Sequence, residues 1–138
     1  MKAIEVTRRE ITLWRELGDH ENICRFIASS EVCQPQNHQG PQEKFCYVLC
    51  ERCDGSLVEY LTTYNKQLIE TQIVDCALQI LNGIEHMHKH EVCHRDIKIE
   101  NVLFRKVDDR TVFKLCDFGS STRDHSISYS KSSKAEIG

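Results

Sequence analysis

The sequence is poor in residues that break regular structure and in long apolar runs. Its 138 residues include only two prolines, six glycines and one tryptophan. No apolar run approaches the roughly 20 residues that a membrane-spanning helix requires, so no transmembrane segment is expected. Hydrophobic residues make up 40% of the chain and charged residues 28%. This composition is typical of globular proteins and excludes a wholly disordered chain.

An excess of positive charge is also missing. The chain has 18 lysines and arginines against 21 aspartates and glutamates, which gives a net charge of −3. Nucleic-acid binding usually requires a basic surface, so no nucleic-acid partner is expected. The first segment, MKAIEVTRREITLW, is charged and amphipathic, unlike a secretory signal peptide. We therefore expect a cytoplasmic protein.

Cysteine, in contrast, is abundant, with eight residues in the chain. Most lie inside apolar runs such as FCYVLCERC and DCALQIL, where free thiols pack as small hydrophobic groups. This favours reduced thiols in an intracellular protein. Cys46, Cys50 and Cys53 include a C-x2-C pair, which leaves half a zinc site or a redox pair open as an alternative. No second C-x2-C and no nearby H-x3-H accompanies it.

A first helix is predicted over residues 3–17. The apolar residues Ile4, Ile11, Trp14 and Leu17 recur at helical spacing, and a glycine follows them, as is common at helix ends. Lys2 would then lie on the same helical segment as Glu10 and would be solvated.

The rest of the chain alternates between strand and helix patterns. The predicted elements are strands near 24–29, 45–51, 102–107 and 112–116, a surface loop over 30–44, a short helix after Asp54-Gly55-Ser56, and a helix over 70–89. The apolar stripe of the long helix is expected to be buried. It comprises Ile73, Ala77, Ile80, Leu81, Ile84 and Met87.

Two short motifs flank the predicted hairpin. HRDIKIEN (94–101) precedes its first strand, and DFG (117–119) follows its second. Antiparallel strands of similar length return the chain to the end where it started, so Asn101 and Asp117 are expected to lie close together. Asp96 and Lys98 lie on the loop that leads into the same end.

These side chains suit phosphoryl transfer. Carboxylate and amide oxygens are preferred ligands of Mg²⁺, which makes Asn101 and Asp117 candidate metal ligands. Asp96 can accept or orient a hydroxyl proton, and Lys98 can neutralise charge on a transferring phosphoryl group. Positioning and electrostatic stabilisation of this kind account for most of phosphoryl-transfer catalysis.

The two motifs together resemble the signature of eukaryotic protein kinases, H-R-D-L-x-x-x-N followed by D-F-G. The resemblance implies an α+β fold, an incomplete two-lobed kinase domain. It would comprise helix C and part of the N-lobe sheet, the hinge, helices D and E, the catalytic-loop hairpin and the start of the activation segment. In this scheme residues 1–49 belong to the N-lobe, 50–55 form the hinge and 56–138 belong to the C-lobe.

The resemblance also implies further roles, with ATP and Mg²⁺ as cofactors and a protein as substrate. Glu10 matches the glutamate of helix C. Glu51 and Cys53 fall in the hinge, which meets adenine, directly after Cys50 at the gatekeeper position, and Leu103 lies below the adenine ring. Arg95 matches the arginine that reads a phosphorylated activation loop. A stack of residues that couples helix C to the catalytic loop is matched by Trp14, Phe26, His94 and Phe118.

Four segments resemble the Numb-associated kinases, a serine/threonine family that acts on clathrin adaptor subunits in endocytosis. The segments are LCERCDGSLVEYL, IEHMHKH, HRDIKIEN and KLCDFGSST. Cys53 in the hinge and Ser120 after DFG agree with this family, and Lys98 favours serine/threonine over tyrosine specificity. Another serine/threonine group stays open as an alternative.

Three parts of the kinase signature are not found: the Gly-rich loop, the strand lysine and A-P-E. The chain is therefore expected to be a kinase fragment that is inactive when isolated. The alternative is a non-catalytic, truncated kinase-like binding module. Apolar surface is expected to be exposed on the C-terminal face of the 70–89 helix. The serine-rich segment 126–133 is either a site of regulatory phosphorylation or a polar linker.

Overall fold

The computed structural model describes residues 2–33, 44–63 and 69–124. It has an α+β architecture, as predicted, with three small antiparallel sheets and three α-helices in the described ranges. The predicted loop over 34–43 and the serine-rich segment 126–133 lie outside the described residues.

The chain begins with strand β1 (Lys2–Val6), followed by helix α1 (Arg8–Leu17). The prediction of one helix over 3–17 is therefore wrong in its first half, and Lys2 lies on a strand, opposite Cys50, instead of on the helix of Glu10. The helix begins after Thr7 because the Thr7 hydroxyl accepts a hydrogen bond from the Glu10 N–H (3.1 Å). The sequence T-x-x-E, a capping box, was the signal for this start.

Helix α1 ends at Gly18, as predicted. Gly18 has a φ of +64°, a left-handed conformation that glycine adopts at little cost. The N–H of Gly18 donates to the carbonyl of Arg15 (3.2 Å) and so closes the last turn.

The first sheet has the order β1-β3-β2, with β2 at Phe26–Cys33 and β3 at Lys44–Cys50. Strand β2 starts two residues later and extends four residues further than the predicted 24–29 strand. Ser30–Cys33, which the sequence assigned to a loop, instead pair with β3. Polar side chains are compatible with an edge strand because one of its sides faces water, so composition alone does not mark this strand.

The segment after β3, which the sequence assigned to the hinge, leads into strand β4 (Gly55–Ser56) and helix α2 (Leu57–Thr63). Helix α2 begins with a second capping box. The Ser56 hydroxyl accepts from the Glu59 N–H (3.2 Å), and the Glu59 carboxylate accepts from the Ser56 N–H (2.6 Å). The predicted chain break at Asp54-Gly55-Ser56 is thus where the short helix starts.

Helix α3 spans Glu70–Lys89, as predicted, and strand β5 (Val92–Cys93) follows it. The expected buried stripe is only partly correct. Cys76, Gly83 and Met87 are buried, whereas Ile73, Ala77 and Leu81 are exposed. Three apolar stripe positions therefore face away from the sheets, because the helix packs on the hairpin through the neighbouring face.

The HRDIKIEN segment ends in a 3₁₀ turn (Ile99–Asn101), and a hairpin of β6 (Val102–Val107) and β7 (Arg110–Leu115) follows it. The second hairpin strand starts two residues earlier than predicted. Strand β6 also pairs with β4, and β5 pairs with β8 (Thr122–Arg123).

The segment between α1 and β2 joins the first sheet to the hairpin. The Cys24 N–H donates to the Leu115 carbonyl (2.8 Å), and the Leu115 N–H donates to the Asn22 carbonyl (2.9 Å). The Asn22 side chain also donates to the Phe113 carbonyl (2.9 Å). These bonds hold β7 against the segment that follows α1.

All seven cysteines with described side chains are free thiols. In the described ranges, no group of three or more histidine, cysteine, aspartate or glutamate side chains could hold a metal ion, so the zinc alternative for Cys46, Cys50 and Cys53 has no support there. None of the described helices has the length and apolar character needed to cross a bilayer.

Candidate active site

A cleft of about 560 Å³ lies between the hinge, helix α1 and the hairpin. It brings together the six residues that the sequence assigned to nucleotide or metal binding. These lining residues are Glu10, Glu51, Cys53, Leu103, Asn101 and Asp117. The other three predicted site residues, Arg95, Asp96 and Lys98, lie on the loop that leads into the 3₁₀ turn.

The hairpin brings Asn101 and DFG together as expected. Val102 at the start of β6 is paired with Leu115 at the end of β7. One residue beyond this pair on each side, the Cys116 N–H donates to the Asn101 carbonyl (3.0 Å). The backbone ladder therefore fixes Asn101 beside the residue that precedes Asp117.

Asp96 is held by two neighbouring side chains. The Lys98 ammonium lies 2.8 Å from Asp96 Oδ2, and the Asn101 amide donates to the same oxygen (2.9 Å) and to the Asp96 carbonyl (3.0 Å). The hydrogen bond from Lys98 lowers the pKa of Asp96 and raises that of Lys98. Asp96 is thus an ionised acceptor at neutral pH.

Asn101 and Asp117 present oxygen atoms that fit a hard divalent cation. Because the amide nitrogen of buried Asn101 is bound to Asp96, its Oδ1 is directed elsewhere, and it accepts no hydrogen bond from the residues that the structure describes. Asp117 accepts one hydrogen bond, from the Gly119 N–H to Oδ1 (3.2 Å). One amide oxygen and one exposed carboxylate match the partial protein shell that Mg²⁺ uses beside phosphates and water.

Two site residues have left-handed backbone conformations. Arg95 and Asp117 both have a φ of +65°, which is uncommon for residues other than glycine. The Arg95 side chain is fixed by a hydrogen bond from its Nε to the Ser120 carbonyl (2.7 Å). Strained backbone of this kind clusters at functional sites, and here it lies on both sides of the hairpin.

Glu10 lies at the inner wall of the cleft, next to DFG. Burial raises the pKa of Glu10, and the nearby Asp117 charge adds to the rise, while hydrogen bonds from the Thr7 and Phe118 backbones oppose it. No lysine or arginine among the described side chains forms an ion pair with Glu10. The hydrogen bond from the Phe118 backbone to Glu10 is what links helix α1 to the DFG motif.

The hinge is fixed through the side chain of Glu51. This carboxylate accepts from the Arg25 N–H (2.7 Å) and pairs with Lys114 (3.0 Å) and Arg105 (3.4 Å). Burial alone would raise the pKa of Glu51, but these partners outweigh it and hold the pKa below its ordinary value. Glu51 and Cys53 both line the cleft, and within the described residues the Glu51 carbonyl and the Cys53 N–H make no backbone hydrogen bond.

The four predicted stack residues form a continuous series of rings. The Trp14 ring centroid lies 6.1 Å from that of Phe26 and 5.1 Å from that of Phe118, and Phe118 lies 5.5 Å from His94. His94 Nε2 is 3.0 Å from the Cys116 carbonyl, and burial lowers the pKa of His94. The stack therefore connects α1 to the catalytic loop, which confirms the predicted contact.

Sequence reasoning missed two of the cysteines that line the cleft. Cys24 follows α1 and Cys116 precedes DFG, and both contribute to the wall. The sequence could have indicated Cys116 as a cleft residue, because it directly precedes the DFG motif. No sequence pattern indicated Cys24, since only the hydrogen bonds between the α1–β2 segment and the hairpin bring it to the cleft.

Comparison with known proteins agrees with this geometry. Residues 1–135 match the family model described as "Protein kinase domain". The chain is 35% identical over 115 residues to "Cyclin-dependent kinase-like 2" of Oryctolagus cuniculus and to the protein of the same name from Homo sapiens. Each match covers 83% of this chain, and it covers 18% of the rabbit protein and 20% of the human protein. It is 33% identical over 120 residues to "CDPK-related protein kinase" of Daucus carota, covering 86% of this chain and 18% of that protein.

The chain thus spans about a fifth of the length of these curated relatives. The family match, in contrast, covers nearly the whole chain, including α1, the hinge, the catalytic loop and DFG. On this match and the cleft described above, the chain belongs to the protein kinase domain family.

Proposed function

We propose that this chain supplies the hinge, catalytic loop and metal-binding segment of a serine/threonine protein kinase, which transfers a phosphoryl group from Mg-ATP to a protein hydroxyl. The observation that carries the proposal is the single cleft that holds the hinge backbone, Leu103, Asn101 and Asp117. Asp96 and Lys98 adjoin it through their bonds to each other and to Asn101.

The cleft offers separate surfaces for the two ends of the nucleotide. The Glu51 carbonyl and the Cys53 N–H provide one acceptor and one donor for the adenine edge, and Leu103 provides an apolar floor. Asp117 and the Asn101 amide oxygen would hold Mg²⁺, which neutralises charge on the phosphates when bound. The Asn101 amide would thus hold the metal through its oxygen, while its nitrogen donates to Asp96.

Asp96 would accept and orient the substrate hydroxyl. Its ionised carboxylate keeps one oxygen, Oδ1, that the Lys98 and Asn101 bonds do not occupy. Lys98 is positively charged at neutral pH and lies 2.8 Å from Asp96 Oδ2, so it would stabilise negative charge that develops on a phosphoryl group transferred there. Arg95, fixed by Ser120, would bind a phosphorylated residue of the activation segment.

The Asp96 assignment is tested by activity in a complete kinase domain that contains this segment. We expect Asp96→Ala to lower kcat about 10²–10⁴-fold, the usual contribution of a positioned acid or base. Asp109→Ala is the matched control, because it removes the same group from the exposed hairpin turn. Equal activity of Asp96→Ala and wild type would contradict the assignment.

The metal assignment is tested by nucleotide binding to the 138-residue chain. Calorimetric titration with ATP, with and without Mg²⁺, should show tighter binding in the presence of the cation. Asp117→Asn should remove most of this Mg²⁺ dependence and leave metal-free binding little changed. A Mg²⁺ effect that survives in Asp117→Asn but disappears in Asp109→Asn would overturn the assignment.

A non-catalytic binding module is the second candidate function. The observation that favours it is that Glu10 has no ion-pair partner among the described side chains, although kinase activity needs a lysine–glutamate pair in addition to the DFG–metal contact. We therefore expect no appreciable phosphate transfer to casein by the 138 residues alone. Transfer that Asp96→Ala abolishes would exclude the non-catalytic alternative.

We further propose membership of the Numb-associated family, with clathrin adaptor subunits as substrates and endocytosis in the cytoplasm as the setting. The support is the resemblance of the hinge segment, the α3 end and both catalytic motifs, together with Cys53 and Ser120. The test is phosphorylation of a purified clathrin adaptor subunit by a complete domain with this segment. Modification on tyrosine, or a preference for casein over the adaptor, would contradict this assignment.

A further inference from the structure

Three histidines from two parts of the chain form a continuous stack of rings. His20 lies in the segment between α1 and β2, His86 lies near the end of α3, and His90 follows α3 directly. The ring centroids of His20 and His86 are 4.3 Å apart with an interplanar angle of 25°, and those of His86 and His90 are 4.5 Å apart. His20 and His86 also line a cavity of about 360 Å³, separate from the nucleotide cleft. Phosphoryl transfer therefore leaves this histidine cluster unexplained.

The hydrogen bonds of the three rings determine which ring nitrogens carry a proton. His86 Nε2 lies 2.7 Å from the Leu17 carbonyl, and His90 Nδ1 lies 2.9 Å from the His86 carbonyl. Because a carbonyl only accepts, both of these nitrogens are N–H donors. His20 differs, since its Nδ1 accepts from the Asn22 N–H (3.1 Å) and must be free of a proton. His86 and His90 can therefore gain a second proton and keep these bonds, whereas His20 cannot.

The bond to His20 Nδ1 closes the turn that attaches the α1–β2 segment to β7. In this turn the Asn22 carbonyl accepts from the Leu115 N–H (2.9 Å), and the Asn22 side chain donates to the Phe113 carbonyl (2.9 Å). Leu115 ends β7, two residues before DFG. A change at His20 can therefore reach the segment that carries DFG through two consecutive hydrogen bonds.

Titratable groups from α3, from β7 and from its own segment face the His20 ring. These groups are His86, Lys89 and Glu85 on α3, Lys114 on β7, and Glu21 beside it in the chain. Burial disfavours a positive charge on the ring, the three basic neighbours add to this effect, and Glu21 opposes it, so the pKa of His20 lies below its ordinary value. Neutral His20 is thus the form present at neutral pH, in agreement with its role as an acceptor.

We propose that His20 is a pH-sensitive switch, in which the neutral ring holds the turn at Asn22 against β7 and protonation of Nδ1 releases that turn. Protonation replaces the acceptor with an N–H, so two donors would face each other and the bond to Asn22 breaks. The new charge would also lie against the His86 ring and near Lys89, and the adjacent cavity gives the His20 ring room to turn away. The Asn22 N–H then loses its acceptor, and the bond from Leu115 to the Asn22 carbonyl is weakened.

The direction of the pH dependence follows from the neutral ring being the folded form. The unfolded chain takes up a proton on His20 at about pH 6.5, and the folded chain does so only at a lower pH because burial lowers the pKa of His20. The stabilisation by the bond to Asn22 is therefore fully present above that value and is lost progressively as the pH falls below it.

The first test measures the positions of the ring protons. Long-range ¹H–¹⁵N NMR spectra of the 138-residue chain distinguish rings with a proton on Nδ1 from rings with a proton on Nε2, and single histidine-to-asparagine variants assign the signals. At pH 7.5 we expect the proton of His20 and of His86 on Nε2, and that of His90 on Nδ1. A proton on His20 Nδ1 at this pH would overturn the proposal.

The second test measures the release of the turn by hydrogen exchange of the Leu115 N–H. Its protection factor, corrected for the pH dependence of intrinsic exchange, is divided by that of the Leu61 N–H on α2, so that unfolding of the whole chain cancels. Between pH 7.5 and 5 this ratio should fall roughly three- to tenfold in the wild type, the size expected for one lost hydrogen bond. A ratio that does not change with pH in the wild type would overturn the proposal.

Substitutions separate the hydrogen bond of His20 from its titration. His20→Asn keeps a side-chain acceptor for the N–H two residues on but does not titrate, so its exchange ratio should stay high at both pH values. His20→Ala removes the acceptor and should give the low ratio already at pH 7.5. His88→Asn is the matched control, because His88 lies on α3 but takes no part in the ring stack, and it should follow the wild type. An equal fall in the wild type and in His20→Asn would assign the pH effect to another group, such as His94, and overturn the proposal.

Weaker nucleotide binding at low pH is the one consequence that rests on the proposed function, because β7 leads into DFG. In calorimetric titrations with Mg-ATP, the wild type and His20→Asn should bind equally at pH 7.5, and the wild type should bind roughly three- to tenfold more weakly at pH 5. Comparing two chains at one pH removes the effect of proton binding to ATP itself. Equal affinities at pH 5 would overturn the coupling to the cleft. Hydrogen exchange is measured without nucleotide, so the switch and the proposed function can fail separately.

Discussion

The two faces of helix α3 differ sharply in how they meet the rest of the molecule. On the inner face, Cys76, Gly83 and Met87 are buried, and Gln79 accepts from the Phe113 N–H (2.8 Å) and donates to the Thr111 carbonyl (3.1 Å). On the outer face, more than half of each large apolar side chain is exposed. These outer residues are Ile73, Val74, Leu78 and Leu81.

The difference shows which part of the helix supports the cleft. The inner face satisfies the open edge of β7, which otherwise presents unpaired backbone groups, and β7 in turn positions DFG. The outer face gains nothing comparable in the described part of the molecule, since an apolar side chain contributes about 1.5–3 kcal/mol only when it is buried. The sequence analysis expected exposed apolar surface on the C-terminal face of this helix, but the exposed residues lie between Ile73 and Leu81, whereas Ile84 is half-buried and Met87 is buried.

Truncating one side chain on each face of α3 should give the largest difference in the free energy of unfolding. Met87→Ala removes a side chain that is 1% exposed, and we expect a loss of about 2–5 kcal/mol in the free energy of unfolding. Leu81→Ala removes one that is 58% exposed and should change it by less than about 1 kcal/mol. Urea unfolding followed by circular dichroism measures both. Similar losses would show that the outer face is packed in solution.

Adding a methyl group on the inner face, by Gly83→Ala, should have the next largest effect on the free energy of unfolding. A Cβ at Gly83 would lie 2.8 Å from the Asn22 carbonyl and 3.1 Å from Leu115. Alanine normally stabilises a helix by about 0.5–1 kcal/mol relative to glycine, but here overpacking should reverse the sign and cost about 1–3 kcal/mol. The control is Asn82→Ala at the adjacent exposed position, where urea unfolding should show no loss. Stabilisation by Gly83→Ala would contradict the close contact.

Lowering the pH should weaken the inner region through His94. Burial lowers the pKa of His94 in the folded chain, although the Cys116 carbonyl and nearby carboxylates oppose it. The unfolded chain therefore takes up the proton first, near pH 6.5, and the stability that neutral His94 provides is lost as the pH falls below that value. The free energy of unfolding should decrease between pH 7 and 5.5, and less steeply in His94→Gln. Parallel pH profiles would exclude His94 as a source of the slope.

The smallest change in stability is expected on the outer face. Leu78→Lys combined with Leu81→Lys should alter the free energy of unfolding by about 0.5 kcal/mol or less, yet reduce binding of the apolar dye ANS, because apolar patches of this kind bind such probes. Thr71→Lys adds a charge to the same helix without removing apolar surface and should leave dye binding unchanged. A large loss of stability in the double variant would mean that this face is buried.

Much of the site was predictable because its residues lie in short, ordered motifs. The hairpin argument placed Asn101 next to DFG from strand length alone, and the bounds of α3 followed from its apolar period. The start of α1 was predicted wrongly because Ile4 fits a helical period as well as a strand. The T-x-x-E signal of Thr7 and Glu10 would have corrected this, since it marks the first turn of a helix.

The burial of α3 was harder to predict for a different reason. Helical periodicity identifies residues that share a face, but α3 carries apolar residues on more than one face. Which face is buried depends on what packs against it, and Gln79, a polar residue, marks the inner face better than Leu81 does. Such a residue is recognised only when its hydrogen-bond partners on β7 are known.

The sequence by itself determined the protein kinase resemblance, the candidate ligands Asn101 and Asp117, and the acceptor Asp96, because local order and strand pairing bring these groups to one hairpin end. Only the tertiary structure decided that Lys2 lies on a strand, that Glu10 contacts DFG, and that Cys24 lines the same cleft as Cys53. Those contacts join residues far apart in the chain, and they depend on packing between elements, which no local pattern encodes.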